Sequence, residues 1–271
     1  MTFWLSDAFK HAGKDDCTFD DIMALDGQRF RELDNRRTFR FVRGEQAFFA
    51  KLHFGVGWAE ILKNLLQGRL PIVSAYNEYA AILHLEKIGV ATMKLAGFGV
   101  RGINPARRLS FVLTHELADM ISLEEVAKSW PMTPPTLGFR RALWRALALC
   151  AGQIHRSGMN HRDFYLCHFL LPRTELNGRD LHLHIIDLHR AQIRPHVPRR
   201  WLEKDLAGLY FSALDSGLTR RDCLRFVRRY TQQRLANADV TLWRRVEQKA
   251  RALYRKDHRR EPPPAFFADA H

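Results

Sequence analysis

The run His161-Arg162-Asp163-Phe164-Tyr165-Leu166-Cys167-His168-Phe169-Leu170-Leu171 is followed downstream by Ile185-Ile186-Asp187-Leu188-His189. Two carboxylates presented this way suit phosphoryl transfer, which asks a protein for charge placement around a phosphate more than for covalent chemistry. Asp163 is the residue to accept or orient the proton of an attacking hydroxyl. Asp187, after the apolar Leu183, Ile185 and Ile186, offers the hard oxygen that Mg²⁺ takes. A histidine-arginine-aspartate triplet occurs by chance, and an aspartate after an apolar strand is more often a turn residue. The order and spacing of the two together carry the reading.

These acids need a scaffold. Phe169-Leu170-Leu171 reads as a strand, Asn177-Gly178-Arg179-Asp180 as its turn, and the residues before Asp187 as the returning strand. Upstream, Ala47-Phe48-Phe49-Ala50-Lys51-Leu52-His53 is an apolar strand whose lysine would be costly to bury without a carboxylate partner. Glu78 is the candidate, inside Tyr76–Leu85, where apolar residues recur at helical spacing. The plainer alternatives are a strand-edge charge for Lys51 and a solvated first-turn acid for Glu78. Lys51, Glu78, Asp163 and Asp187 stand in the order of the kinase parts that hold ATP and its metal.

Some kinase features are missing. No G-x-G-x-x-G precedes Lys51, and only Gly44 is nearby. The stretch from Asp34 to Val42 reads as a turn into a strand, with Arg36 and Arg37 either replacing a glycine cradle or forming a solvated basic hairpin. After Asp187 the chain has no A-P-E motif and passes quickly to Pro198–Leu206, which reads as a helix start. So short a segment leaves no platform for a peptide and favours a small or sugar hydroxyl. On that helix, Asp205 either braces the catalytic loop by accepting backbone amides or forms a surface salt bridge.

The chain has 271 residues, 46% of them hydrophobic, which suits one two-lobed domain with a sizeable core. We expect an α+β, bilobal, protein-kinase-like fold. Residues 1–117 would form a small β-rich nucleotide-binding lobe with an amphipathic insertion at about 55–73. Residues 118–271 would form a helical lobe with the catalytic loop, the metal site and a basic C-terminal helix. Thr114-His115-Glu116-Leu117 is the expected hinge, whose backbone at Glu116 could meet adenine. A helix from about Leu137 to Arg156, after the Pro131–Pro135 loop, would feed the catalytic loop.

Cys17, Cys150, Cys167 and Cys223 show no metal spacing and read as reduced thiols, and the 13 histidines show no zinc pattern. The N-terminus has no signal-peptide pattern and no run reaches transmembrane length, so a cytoplasmic protein is expected. The net charge of +14 points to a polyanionic partner. No zinc finger, helix-turn-helix or RNP aromatic motif supports nucleic acid. Two segments suit an anionic lipid surface or an acidic protein: Trp58–Leu70, with apolar residues at 58, 61, 62, 65 and 66, and Leu242–Lys256, with Trp243, Val246, Ala250, Leu253 and Tyr254 on one face. Packing on the core is the plainer reading of both.

Through His161–Leu171, Ile186-Asp187-Leu188-His189-Arg190, the Ala50-Lys51 strand and Asn77-Glu78, the sequence resembles the lipopolysaccharide core heptose(I) kinase family, from about Phe3 to Phe266. The resemblance implies an ATP-dependent sugar kinase that phosphorylates the first heptose of the inner core at the cytoplasmic face of the bacterial inner membrane. It implies ATP and Mg²⁺ and a glycolipid substrate at an anionic membrane surface; the candidate acidic protein partner is suggested by the charge alone. In that frame Asp163 is catalytic, Lys51, Glu78 and Glu116 position ATP, and Asp187 holds the metal. His168 stands where protein kinases place an asparagine for a second metal, as a ligand or as a packed histidine, and His189 replaces the glycine after Asp187. Two rivals stay open: a bacterial protein-tyrosine kinase, and a catalytically silent kinase fold that tethers a membrane or an acidic protein.

Overall fold

A computed structural model describes residues 1–13, 17–33, 35–66 and 73–267. The chain divides into two units, one of Met1–His84, Met93–Ala118 and Leu188–Arg190, the other of Leu85–Thr92, Asp119–Asp187 and Ala191–His271. Sheet dominates the first and helix the second, an α+β bilobal kinase-like architecture.

The first unit contains β1 (Thr2–Leu5), α1 (Asp7–His11), α2 (Phe19–Met23), β2 (Gln28–Leu33), β3 (Arg36–Arg43), β4 (Gln46–His53), α3 (Gly57–Leu66), most of α4 (Tyr76–Lys87), β5 (Leu95–Arg101) and β6 (Leu109–His115). Its six strands run antiparallel in the order β1-β5-β6-β4-β3-β2. Period-two alternation sends Phe39 and Phe41 of β3, and Phe48, Ala50 and Leu52 of β4, into one buried cluster with Phe9, Phe19 and Phe111. Most of the rings meet edge-on or tilted, as in the 5.1 Å Phe9–Phe48 and 5.4 Å Phe19–Phe111 pairs, while Phe41 stacks on Phe48 at 5.6 Å. Each buried Phe contributes about 1.5–3 kcal/mol. Lys51 therefore faces away from this cluster.

Arg43 pairs with Gln46, which leaves a two-residue hairpin with Gly44 at φ 60°. A Cβ there would stand 2.7 Å from the Ala12 carbonyl oxygen, so glycine is required twice over. The β2–β3 turn closes with Leu33 paired to Arg36. Asp34, where the sequence reading starts this turn, lies outside the described residues, as do Gln67–Leu70 at the end of the expected Trp58–Leu70 helix.

The second unit contains β7 (Met120–Ser122), α5 (Leu123–Lys128), α6 (Leu137–Arg156), β8 (Met159–Asn160), β9 (Phe169–Pro172), β10 (His184–Ile185), β11 (Gln192–Ile193), α7 (Arg199–Ala213), α8 (Arg220–Thr231) and α9 (Val240–His258). The helix expected from Leu137 to Arg156 is α6, capped by Thr136 and burying Phe139, Leu143, Leu147, Ala151 and Ile154. The expected hairpin also forms, with Leu170 opposite His184 and Phe169 opposite Ile185. Leu85–Thr92 joins this unit because the Thr92 hydroxyl donates to the Ile185 carbonyl at 2.6 Å and Ile185 N–H donates to Ala91 O at 3.0 Å.

α9 resolves one of the amphipathic segments. Trp243, Val246, Ala250 and Tyr254 are buried and the helix packs on α7, so the core takes most of this apolar face and only Leu253 of the five stays exposed. No helix among the described residues is long and apolar enough to cross a membrane.

Candidate active site

In the first unit, β4 sits between β3 and β6, which pair Lys51 with Thr38 on one side and Val112 on the other. Its Nζ lies 2.7 Å from Glu78 Oε1 in the first turn of α4, and Glu78 is 1% exposed. A buried pair of this kind is a poor stabiliser but a rigid one, since removing either partner strands the other charge. Glu78 Oε2 is buried with no hydrogen-bond partner among the described residues, a cost expected at a functional site. Two residues on, His53 is buried, and desolvation, with Arg36, Lys51 and His189 adding to it, depresses its pKa to about 3.

Glu116 follows β6. Its N–H donates to the Ala47 carbonyl at 3.0 Å, and its carboxylate takes both arms of Arg40, at 2.7 and 2.8 Å. The Arg40 hydrogen bonds hold the Glu116 carboxyl below its usual range. Side chain and N–H are thus both committed to the sheet.

In the second unit, α7 braces the candidate catalytic loop. Asp205, 1% exposed, accepts the N–H of His161 at 2.6 Å and that of Arg162 at 2.8 Å, so of its two readings the loop brace holds and the surface salt bridge does not. One turn on, a Cβ on Gly208 would stand 3.1 Å from both the Phe164 carbonyl oxygen and the Tyr165 ring. Another turn on, Ser212 Oγ accepts the Leu166 N–H at 2.9 Å. Positions 205, 208 and 212 share a helix face, and the loop lies along it. Sequence reading found Asp205 and missed Gly208 and Ser212, which their spacing from Asp205 could have exposed.

The loop is further pinned from inside. Phe164 is buried between His155, His161 and Phe169. The Asp163 carbonyl accepts the Tyr165 N–H at 3.1 Å and His168 Nδ1 at 2.7 Å. Arg162 has φ 76° and Asp187 φ 62°, left-handed conformations that cost a non-glycine residue on the order of 1–3 kcal/mol and cluster at functional sites. Buried His161 supports the second strained residue. Its Nε2 lies 3.0 Å from the Ile186 carbonyl, so that nitrogen carries the proton, and burial depresses its pKa and keeps the ring neutral. The Arg162 guanidinium stacks over Trp201 of α7 at 5.0 Å.

His168 and Asp187 come together. Because His168 Nδ1 donates to Asp163 O, its Nε2 presents a lone pair, and it lies 3.7 Å from Asp187 Oδ2. Adjacent ligands on a cation with ~2.1 Å bonds stand about 3 Å apart, so a small side-chain adjustment would let both touch one metal. No group of three or more His, Cys, Asp or Glu suited to a metal occurs among the described residues. A cation held here would need phosphate oxygens and water for its other ligands; Asp187 offers the hard oxygen that Mg²⁺ takes, while the imidazole of His168 is a softer donor than Mg²⁺ prefers.

A family model for lipopolysaccharide kinases (Kdo/WaaP) matches residues 20–230. The chain belongs to that family. It is 45% identical over 265 residues to the lipopolysaccharide core heptose(I) kinase WaaP of Pseudomonas aeruginosa, spanning 96% of this chain and 98% of that protein. It is 47% identical over 220 residues to WaaP of Escherichia coli K12, covering 80% and 82%. A solved structure of WaaP in complex with acyl carrier protein superposes with a TM-score of 0.81 at 41% identity, over 94% of this chain and all of that one. This kinase is therefore a phosphotransferase with an alcohol acceptor, and membership of the family implies use of ATP.

Proposed function

We propose that this kinase transfers the γ-phosphate of ATP to a hydroxyl of the first heptose of the lipopolysaccharide inner core. The observation that carries the reading is the catalytic loop: Asp163 sits in a backbone held by Asp205, Phe164 and His168, in a chain closely related to heptose(I) kinases. In this reading Asp163 orients the sugar hydroxyl and takes its proton. Lys51, held by Glu78, positions the α/β-phosphates, and the Glu116 carbonyl meets adenine. Asp187 and His168 would hold Mg²⁺, which when bound neutralises charge on the transferring phosphate. The two lobes are assigned as 1–117 for nucleotide and 118–271 for acceptor and catalysis.

A peptide acceptor is disfavoured by the segment after Asp187. It pairs at once with the strand leading into the catalytic loop, Gln192 to Asn160, and enters α7 at Arg199. The intact Lys51–Glu78 pair speaks against a silent scaffold.

The solved relative is bound to acyl carrier protein, and we extend such an acidic partner to this chain, whose +14 charge suits it. The glycolipid acceptor in turn argues for work at the cytoplasmic face of the inner membrane. The test is incubation with Mg²⁺, radiolabelled ATP and unphosphorylated inner-core lipopolysaccharide, with Asp163→Ala in parallel. Label in the glycolipid that depends on Asp163 is the expected result, and absence of label despite ATP binding would overturn the reading.

A further inference from the structure

α3 spends very little of its apolar surface on its own protein. At about 100° per residue, Trp58, Ile61, Leu62, Leu65 and Leu66 span an arc of roughly 140°. Only Ile61, at one edge, is buried, at 5% exposure. Trp58, Leu62, Leu65 and Leu66 are 55%, 55%, 51% and 89% exposed. α9 shows the contrast, since its equivalent stripe is almost wholly covered.

A second exposed apolar residue belongs to the same neighbourhood. α3 packs against the short helical turn Pro105–Arg107, and that turn ends a loop whose tip is Ile103, 95% exposed. The loop is built to display it. Gly102 takes φ 99°, Arg108 donates to the Gly102 and Ile103 carbonyls at 3.3 and 3.1 Å, and the Asn104 side chain caps Ala106 N–H at 2.9 Å. Exposed Arg107 belongs to the turn that α3 packs against, and Lys63 lies at the polar edge of the helix.

We propose that α3 and the Ile103 loop form a membrane-docking surface for anionic phospholipid. Trp58, Leu62, Leu65, Leu66 and Ile103 enter the interface, and Arg107 and Lys63 meet headgroup phosphates. A short helix lying in the interfacial plane with a wide apolar arc and basic flanks is suited to such a surface. Charge selects the occupant: the chain carries +14, Arg107 of the adjoining turn is exposed, and Lys63 flanks the apolar arc, with Glu60 as its exposed ion-pair partner at 3.5 Å. The choice of lipid over another protein also rests on the glycolipid acceptor proposed above, because a soluble kinase must reach a sugar anchored in a bilayer.

The experiment is flotation of the full chain with vesicles of phosphatidylethanolamine and phosphatidylglycerol, and with phosphatidylcholine vesicles, at low and high salt. Wild type is expected to float with the anionic vesicles and to be released by salt. Leu62→Asp/Leu66→Asp and, separately, Ile103→Asp should weaken binding roughly ten-fold or more, and Arg107→Gln about five-fold. All should keep wild-type circular dichroism and melting, and wild-type turnover on core oligosaccharide freed of its acyl chains. Wild type that ignores anionic vesicles, or variants that float as it does, would overturn the proposal. So would a wild-type dimer that the variants convert to monomer, or loss of acyl carrier protein binding with vesicle binding unchanged, since the surface would then serve a protein. Wild type that floats as expected yet does not phosphorylate the soluble acceptor would support the docking surface and count against the heptose kinase reading alone.

Discussion

Replacing Asp205 by Asn isolates the loop support from the chemistry. The native carboxylate serves two buried N–H groups at 2.6 and 2.8 Å. An amide keeps one acceptor oxygen and turns its NH₂ toward the other N–H, donor against donor. One buried N–H is left unmet, at about 1–3 kcal/mol, and the surviving bond loses its charge assistance, so the total comes to roughly 2–4 kcal/mol. Asp205→Ala leaves both amides unmet, on the order of 2–6 kcal/mol. The same bonds hold Arg162 at its φ of 76°, and relaxation there moves Asp163, where a displacement of about 1 Å costs on the order of a hundred-fold in kcat. Urea unfolding reads the first effect, and steady-state kinetics read the second, with KM for ATP nearly unchanged because Lys51 and Glu78 belong to the other unit. An Asp205→Asn enzyme that unfolds at the wild-type urea concentration and keeps kcat within about two-fold would refute the bracing role.

Other substitutions test the remaining parts. Asp163→Ala should abolish most turnover while nucleotide still binds in equilibrium dialysis, whereas Asp187→Ala should weaken metal-nucleotide binding as well. Lys51→Met leaves Glu78 charged and buried and should lower stability by about 3 kcal/mol or more in urea unfolding, besides raising KM for ATP. Gly208→Ala, whose methyl would press on Phe164 O and the Tyr165 ring at 3.1 Å, should lower kcat more than it changes the binding of ATP, by the same kinetic assay. For pH, His53 has a folded pKa near 3 against about 6.5 unfolded, so the unfolded state binds the extra proton. Its stability contribution is complete above pH 6.5 and is lost progressively as pH falls toward 3. At pH 5 the loss is about 2 kcal/mol, which a urea series on His53→Asn should not show.

Local chemistry was the legible part of the site. A lysine inside an apolar strand demanded a carboxylate, and Glu78 answered it from a helix whose spacing was plain. α6 and the β9–β10 hairpin were readable because their periodicity and turn residues agree. Harder to see was whatever depends on approach between distant segments. Glu116 was expected at the hinge, but the commitment of its side chain to Arg40 comes from strand register. Gly208 and Ser212 look like ordinary helix residues until a loop lies against them. The two amphipathic segments looked equivalent in sequence, and only packing separates the covered α9 from the exposed α3.

Glu203, two residues before Asp205, is 4% exposed and is approached by Arg199 at 3.2 Å and, from α9, by Arg245 at 3.5 Å and Lys249 at 2.5 Å. α9 thus supplies two of the three counter-charges of Glu203, on the same helix that anchors the candidate catalytic loop. A truncation or fusion that disturbs the C-terminal helix strips two cations from a buried carboxylate beside the loop's own anchor. The basic face of the C-terminal helix is therefore mechanically coupled to the helix that anchors the candidate catalytic loop.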